Sequence, residues 1–537
     1  MWRKLCNATS GLTALLLLGM AGCVDLDVEN PNAPDAERVF ETDKDIESLI
    51  AGAWGNVYQI AGSYNGPTAL LSNASFQHVA PWSNAGQEYF GRIPRQPILN
   101  QAGAANHDRI WNSWIWSYRA ISAVRTGLIS MDSGLTVLPG TDETRARAYG
   151  KFMQGVAHGA LALLYDSAFV YDESMDIEEL VLIGYHDVMA AAFGYLDDAI
   201  SLAGSAAFTL PETWMSYQVT AATLRELAYS FKAQFRANVA RTPAERAAVL
   251  WTEVDSDAGN GVTEDWMMNI DWQSWGDDGA WMMHYGGWSM MPNHVLGMAD
   301  TSGNYQTWVA TPTASKQPFY MFTPDTRFAQ GGDATMAAAD IETVQLANPG
   351  INATVNGETF YMNSGAYRIH ERPDRGTWRW GYYSNLRWLA WAEDEGPYPY
   401  MSAEELYFLR AEAAYRAGDL GTVATMVNST RTLHGLNATD AAGTNTSCVP
   451  RLPDGSCGDL FEMLKWEKRI QAHGIGLFHQ GWYFDARGWG DLMEGTFLHM
   501  PVIYSEYQLL GLQPYSYGGV GGAAAAPVGT YGFKMIP

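Results

Sequence analysis

Apolar residues recur every three to four positions over long stretches of this chain, the period of an amphipathic helix rather than a strand. Ile46, Leu49, Ile50, Ala53 and Val57 share one such face. They predict a helix starting at Thr42 or Asp43, with Asp45 and Glu47 in the first turn, where the helix dipole favours acids. The stripe Ile110, Trp114, Ser117, Ile121, Val124 and Leu128 predicts a second helix over 108–131. Helices are also predicted over 142–168, 185–202 and 223–241, the last stopped by Pro243, with a sixth over 244–255. Residues 257–395 break the pattern. They are rich in Gly, Trp, Asn and Met and read as long ordered loops with short strands, not as a linker.

Helical spacing returns at Ser402. Ser402 and Glu405 form an S-x-x-E capping box, worth about 1 kcal/mol at the cap. Leu406, Leu409, Ala413 and Ala417 line one face, and Gly418 suits the position just past a helix end. Leu420, Val423, Val427 and Thr430 continue on a second helix ended by Gly435. The pair occupies roughly 34 residues, the size of a tetratricopeptide unit. The earlier helices pair in the same way, second with third and fourth with fifth. A further helix is predicted over 460–473, and the GGVGGAAAAP run reads as a surface loop. The pattern predicts a mainly α fold of tetratricopeptide-like helical hairpins, with a large irregular loop-rich region and few short strands.

Composition narrows the function. The 537 residues are 47% hydrophobic and 17% charged, below the roughly 25% charge of an average globular chain, which excludes disorder as a whole-chain description. Asp+Glu 58 against Lys+Arg 33 leaves a net charge of −25, which repels phosphate backbones and disfavours nucleic acid. The 21 Trp and 28 Tyr exceed what a core alone needs and point to flat binding surfaces. At the N-terminus, Arg3 and Lys4 precede the apolar run Leu12–Met20 and then Ala21, Gly22 and Cys23. Residues 1–22 read as a secretory signal, too short for a permanent membrane span. Met20-Ala21-Gly22-Cys23 resembles a bacterial lipobox, with Met20 where Leu is usual. Cys23 would then carry acyl chains, palmitate among them, each buried CH2 contributing about 0.8 kcal/mol of anchoring. The other reading is an ordinary signal peptide cleaved nearby. Residues 23–40, acidic and containing Pro31 and Pro34, read as an extended tether. Cys6 leaves with the signal, so Cys448 and Cys457 remain, nine apart in a Pro- and Gly-containing loop. In an oxidising envelope they predict a local disulfide worth about 2–3 kcal/mol, and no zinc-spaced partners surround them.

Four pieces in order resemble the SusD/RagB family of outer-membrane nutrient-binding lipoproteins. They are Cys23 followed by DLDVENPNAP and FETDKDIESLIAGAW; the hairpin YPYMSAEELYFLRAEAAYRAGD…MVNSTRTLHGL; LKWEKRIQAHGIGLFHQGWYFDARGWGDL; and MPVIYSEYQL. In the third piece Trp482, Asp485, Arg487 and Gly490 match the family's Gly-aromatic-Asp-x-Arg stretch, read here as structural, an Asp–Arg pair locking the returning chain against the hairpins. The pieces bracket nearly the whole chain. The resemblance implies a helical body with four tetratricopeptide-like hairpins, lipid-anchored on the outer membrane and facing the cell exterior. It implies a lid over a SusC-type TonB-dependent transporter that captures oligosaccharides, peptides or other nutrients and performs no catalysis. Asp25, Asp27 and Glu29 resemble the family's acidic surface-export signals. The implied organisation is an N-terminal helical region over 41–256, an irregular ligand-side region over 257–395 and a C-terminal region with the hairpin over 396–537.

Sugars bury their C–H faces on Trp or Tyr rings and need planar polar side chains for their hydroxyls, because an unpaired buried polar group costs about 1–3 kcal/mol. Two segments mix these groups. PWSNAGQEYFGR carries Trp82, Asn84, Glu88, Tyr89 and Arg92; DWQSWGDDGAWMMHYGGW carries Trp272, Trp275, Asp277, Trp281, Tyr285 and Trp288. These residues are the candidate ligand-binding set, and the alternative is that the rings pack loops onto helices. Met282, Met283, Met290 and Met291 read as adaptable packing rather than metal ligands. The pairs Asp277–Asp278, Glu404–Glu405 and Asp142–Glu143 are adjacent in sequence and point apart, unlike the opposed carboxylates of a glycosidase. The run 255–265 has Asn260 and Trp266 where a calcium loop needs Gly and Glu; loose cation binding is the remaining reading. No hydrolase, nucleotide or metalloprotease motif occurs, and no cofactor or metal site is expected. The leading expectation is a nutrient-binding lipoprotein; an anchored glycoside hydrolase with a helical body and a purely structural envelope protein are the competitors.

Overall fold

The computed structural model describes residues 43–80, 86–104, 106–135, 137–271, 273–284, 289–319, 321–328, 360–363, 380–381, 383–385, 387 and 395–528. The signal segment, the tether with Cys23, and Trp82, Asn84, Trp272, Tyr285 and Trp288 lie outside the described residues. The chain divides into a leading unit, Met1–Ile46, and a body, Glu47–Pro537. Within the body the long helices are α1 (His107–Asp132), α2 (Thr141–Leu164), α3 (Tyr185–Ser205), α4 (Ala221–Asn238), α5 (Trp251–Gly259), α6 (Ala403–Arg416), α7 (Leu420–Arg431) and α8 (Leu460–Gln471). Each packs on the next in chain order, through α6 on α7, and α8 then packs on both α6 and α7. The chain-order stacking matches the order that the apolar stripes predicted, but α2 packs far more extensively on α3 than on its predicted hairpin partner α1. α5 and α6 meet although 257–395 separates them in sequence.

Local chemistry sets the helix ends. Thr220, Ser402, Asp419 and Asp459 cap α4, α6, α7 and α8 by accepting the backbone N–H three residues on, each cap contributing about 1 kcal/mol. α2 ends at Leu164, four residues before its predicted end, because Tyr165 turns extended and pairs in parallel with Met500. The single helix predicted over 244–255 is two, Pro243–Ala247 and Trp251–Gly259. α2 carries glycines where neighbours come closest: a Cβ built on Gly159 would lie 2.1 Å from the Phe235 ring of α4. Phe408, Ala411, Val423, Val427, Met463 and Leu464 form the shared core of α6, α7 and α8.

The irregular region holds more helix than its composition predicted. Asp278–His284, Asn293–Ala299 and Asn304–Ala310 are short helices, and Trp266–Ile270 pairs antiparallel with Gly396–Met401. The glycine-rich tail is not a free loop: Ala525 bridges Phe497, Gly518 bridges Pro97, and Ala526 is buried. Cys448 and Cys457 form the predicted disulfide, with Cα atoms 4.7 Å apart. No described helix is long and apolar enough to cross a membrane.

Two expectations about charged side chains are corrected. The Ser402 half of the capping box forms, with Glu405 N donating to Ser402 Oγ at 3.4 Å, but the Glu405 carboxylate turns inward. It accepts from Gln234 Nε2 at 2.6 Å and Leu477 N at 2.9 Å. Burial pushes its pKa up to about 7, against the opposing pull of Lys468. Asp485 and Arg487 are structural but do not pair. Asp485 accepts from Arg246 at 3.0 Å and Lys468 at 2.8 Å, while Arg246 also clasps Glu412 at 2.7 and 3.1 Å. Arg487 instead donates to the carbonyls of Leu163, Leu498 and Asn238 at 3.0, 2.7 and 2.8 Å, tying three returning segments together.

Candidate ligand-binding face

The two aromatic segments, far apart in sequence, meet. Val79 and Met290 form an antiparallel bridge, Val79 N donating to Met290 O at 2.8 Å and Met290 N to Val79 O at 3.1 Å. Val79 lies two positions before the first segment, and Met290 two positions after the second. A second contact joins the short helices inside the two segments: Gln87 Nε2, in Gln87–Gly91, lies 3.4 Å from Met282 Sδ, in Asp278–His284.

On the first segment Glu88 and Arg92 pair at 2.9 Å across one helical turn, and the Arg92 guanidinium sits over the Tyr89 ring, 5.4 Å from its centroid. Tyr89 donates to Pro97 O at 2.9 Å, which fixes the ring. Arg92 is about half exposed and Glu88 largely covered. This places a planar donor beside an aromatic face, the combination a sugar needs.

On the second segment Asp271 folds a tight turn, accepting from the amides of Gln273 and Trp275 at 2.8 and 3.0 Å. The turn leaves Trp275 and Trp281 half-buried, with the Trp275 ring edge-on to Tyr58 at 5.6 Å. Asp277 departs from its expected role as a ligand contact. It is fully buried and accepts from Ala280 N at 2.7 Å, His479 Nε2 at 3.0 Å and the Tyr58 hydroxyl at 3.0 Å. Burial pushes its carboxyl up, but His479, Ala280 N and Tyr58 outweigh burial and hold it below the usual carboxylate range. Asp278 points elsewhere and accepts from Tyr64 N at 3.0 Å. Burial raises its pKa, with the neighbouring Asp277 charge adding to the rise.

Other sequence candidates are absorbed by the fold. Met282, Met283, Met290 and Met291 are all buried. Asp142 and Glu143 pair with Arg145 and Arg147 at 3.0 and 2.9 Å. In the calcium-like run, Asp257 sits in α5 facing Arg236 at 2.6 Å, and Asp265 accepts from Ala403 N at 2.8 Å. Among the described residues no group of three or more His, Cys, Asp or Glu is placed to hold a metal ion. The sequence reading missed Tyr58, Gln87 and His479, which position the segments from behind. Tyr58 lies on a predicted helix, and His479 lies 202 positions from the carboxylate it meets.

No protein-family model and no curated protein matches the chain. Solved structures do. A SusD homolog from Parabacteroides distasonis aligns over 82% of this chain and 84% of its own at 14% identity and a TM-score of 0.50. The fold is SusD-like. A SusD superfamily protein from Bacteroides fragilis aligns over 93% of this chain and 97% of its own at 12% identity and a TM-score of 0.49. A SusD-like carbohydrate binding protein from Bacteroides vulgatus aligns over 91% and 94% at 15% identity and a TM-score of 0.46. At such identities the likeness speaks for the SusD-like arrangement of helices, and the face described above stands on its own geometry.

Proposed function

We propose that this chain is a surface lipoprotein, anchored in the outer membrane through lipid on Cys23, that binds an oligosaccharide nutrient and delivers it to a SusC-type TonB-dependent transporter without catalysis. The observation that carries the reading is the meeting of the two aromatic segments at the Val79–Met290 bridge within a SusD-like fold. Tyr89, Trp275 and Trp281 offer half-covered rings, and Glu88 and Arg92 offer planar hydrogen-bonding groups beside Tyr89. Trp82, Asn84, Trp272, Tyr285 and Trp288 belong to the same two segments and complete the proposed site. Asp277 orders the second segment from inside rather than touching ligand. Each stacked ring contributes on the order of 1 kcal/mol, so removing one lowers affinity about fivefold.

The test uses the purified mature protein and a panel of soluble polysaccharides. Retardation in a polysaccharide gel without new reducing ends is expected. Trp82→Ala and Trp288→Ala should each weaken retardation with unchanged helix content by circular dichroism. New reducing ends would transfer the protein to the hydrolase reading, and unchanged binding in both variants would refute the site. Mass spectrometry of the membrane-extracted protein should find acyl chains on Cys23; an unmodified, freely released product would refute the anchor.

A further inference from the structure

Away from this face, a two-residue antiparallel ladder, Ser167–Ala168 with Ile183–Gly184, closes the base of the loop formed by residues 169–182. The loop is bonded over 169–178, chiefly to the body. The Tyr118 hydroxyl accepts from Phe169 N at 2.7 Å, and Tyr171 meets Ser122 at 2.9 Å. Arg125 donates to Asp172 O at 2.9 Å and Met175 O at 3.0 Å. Glu173 is held by Lys151 at 2.7 Å and Gln154 at 2.9 Å. Asp176 caps the short turn Ile177–Glu179, accepting from Glu178 N at 2.9 Å.

This loop displays apolar side chains to water. Met175 is 40% exposed, Ile177 54% and Val181 67%. Met175 and Val181, with Val170 and Ile183, line a cavity of about 360 Å3 whose rim carries Asp176 and Glu179. The bonds over 169–178 hold Met175 and Ile177 outward, so the ordering cost of a contact there is reduced. The surrounding charge selects the partner. The cations that hold the loop are partly covered: Lys151 is paired with Glu173, and Arg125 donates to the carbonyls of Asp172 and Met175. Asp176, Glu178 and Glu179 all face solvent. Such a rim repels phosphate surfaces and other acidic chains, including a second copy of this one, and attracts cations.

We propose that the 169–182 loop docks a basic polypeptide segment, an apolar anchor flanked by lysine or arginine, on a partner protein. The anchor enters the Met175–Val181 cavity, and its basic flanks meet Asp176, Glu178 and Glu179. The proposal is independent of the sugar reading and uses none of its residues.

The test measures binding of the full mature chain to a short fluorescein-labelled peptide alternating lysine and leucine, by fluorescence polarisation. Ile177→Ser with Val181→Ser should weaken binding about tenfold, and Glu178→Gln with Glu179→Gln about threefold with a smaller salt dependence. Asp198→Asn with Glu212→Gln, exposed carboxylates outside the loop, should leave it unchanged. The substituted apolar positions are exposed, so helix content should hold. The proposal is overturned if the Ile177/Val181 variant binds as the parent does, if the Asp198/Glu212 variant loses as much, or if oligolysine binds as tightly as the lysine–leucine peptide. Binding to phosphatidylcholine vesicles that the Ile177/Val181 variant abolishes would reassign the loop to a lipid surface and equally overturn it.

Discussion

Gly159→Ala tests the stacking of the hairpins at its tightest point. A Cβ on Gly159 would lie 2.1, 2.5 and 2.6 Å from three atoms of the Phe235 ring, whereas carbon atoms rest at about 3.5–4.0 Å. The ring would have to retreat by more than about 1 Å. Phe231 lies behind it at 5.5 Å between centroids and Phe478 at 6.4 Å, and Phe235 and Phe231 are buried with it. Overpacking a filled core costs about 1–3 kcal/mol, and this site, with rings behind the clash, belongs at the upper end. Alanine is favoured over glycine inside a helix by about 1 kcal/mol, so the net loss is about 2 kcal/mol. Gly194→Ala on α3 is the matched control: nothing lies within 4 Å of its built Cβ and the position is exposed. There the helix term stands alone and stability should rise by about 1 kcal/mol. Urea unfolding followed by tryptophan fluorescence should therefore separate the two variants by about 3 kcal/mol, one on each side of the parent. A Gly159→Ala protein as stable as the parent would mean that α2 and α4 do not meet there, and the stacked order would be wrong.

Among the buried groups that shape acid stability, two contribute with opposite signs. Burial lowers the folded pKa of His158 from 6.5 to about 4, against the opposing hydrogen bond to Gln154 O; its contribution is present above the unfolded value and is lost as pH falls toward 4. Burial raises Glu405 from 4.5 to about 7, so its contribution is present below the unfolded value and is lost as pH rises through 7. Between pH 7 and pH 5 each group shifts stability by about 2 kcal/mol, His158 downward and Glu405 upward. His158→Gln should flatten the acid loss and Glu405→Gln should steepen it in urea melts at the two pH values; identical slopes in both variants would refute the burial argument. Cys448→Ser with Cys457→Ser opens a loop of sequence separation 9, and chain entropy puts the loss at about 2–3 kcal/mol. Polysaccharide retardation should survive that change, because the disulfide lies outside both aromatic segments; its loss would tie the loop to the binding face.

What the residues could announce, they announced through period and local chemistry. The stripe Ile110 to Leu128 marked α1, and the S-x-x-E start marked α6, because a helix records its buried face every 3.6 residues. The disulfide was legible because two cysteines nine positions apart across a Pro- and Gly-containing loop have few other uses in an oxidising compartment. α8 was read only by its boundaries. LKWEKRIQ looks like a surface helix by its charges, yet its Glu467, Lys468 and Arg469 are all buried and lie in ion pairs with Arg327, Asp485 and Asp491.

The sequence by itself determined the helical class, the hairpin order, the disulfide and the two segments rich in rings and planar polar groups. The tertiary structure alone decided which of those groups face outward. Asp277 and Glu405 were indistinguishable from surface acids until Tyr58 and His479 appeared around one and Gln234 and Leu477 around the other. It also decided that residues 195 positions apart, Gln87 and Met282, bring the two segments together. The reason is range: backbone periodicity is set by neighbours three or four residues away, whereas the direction of a buried carboxylate is set by whichever distant donors the folded chain delivers to it.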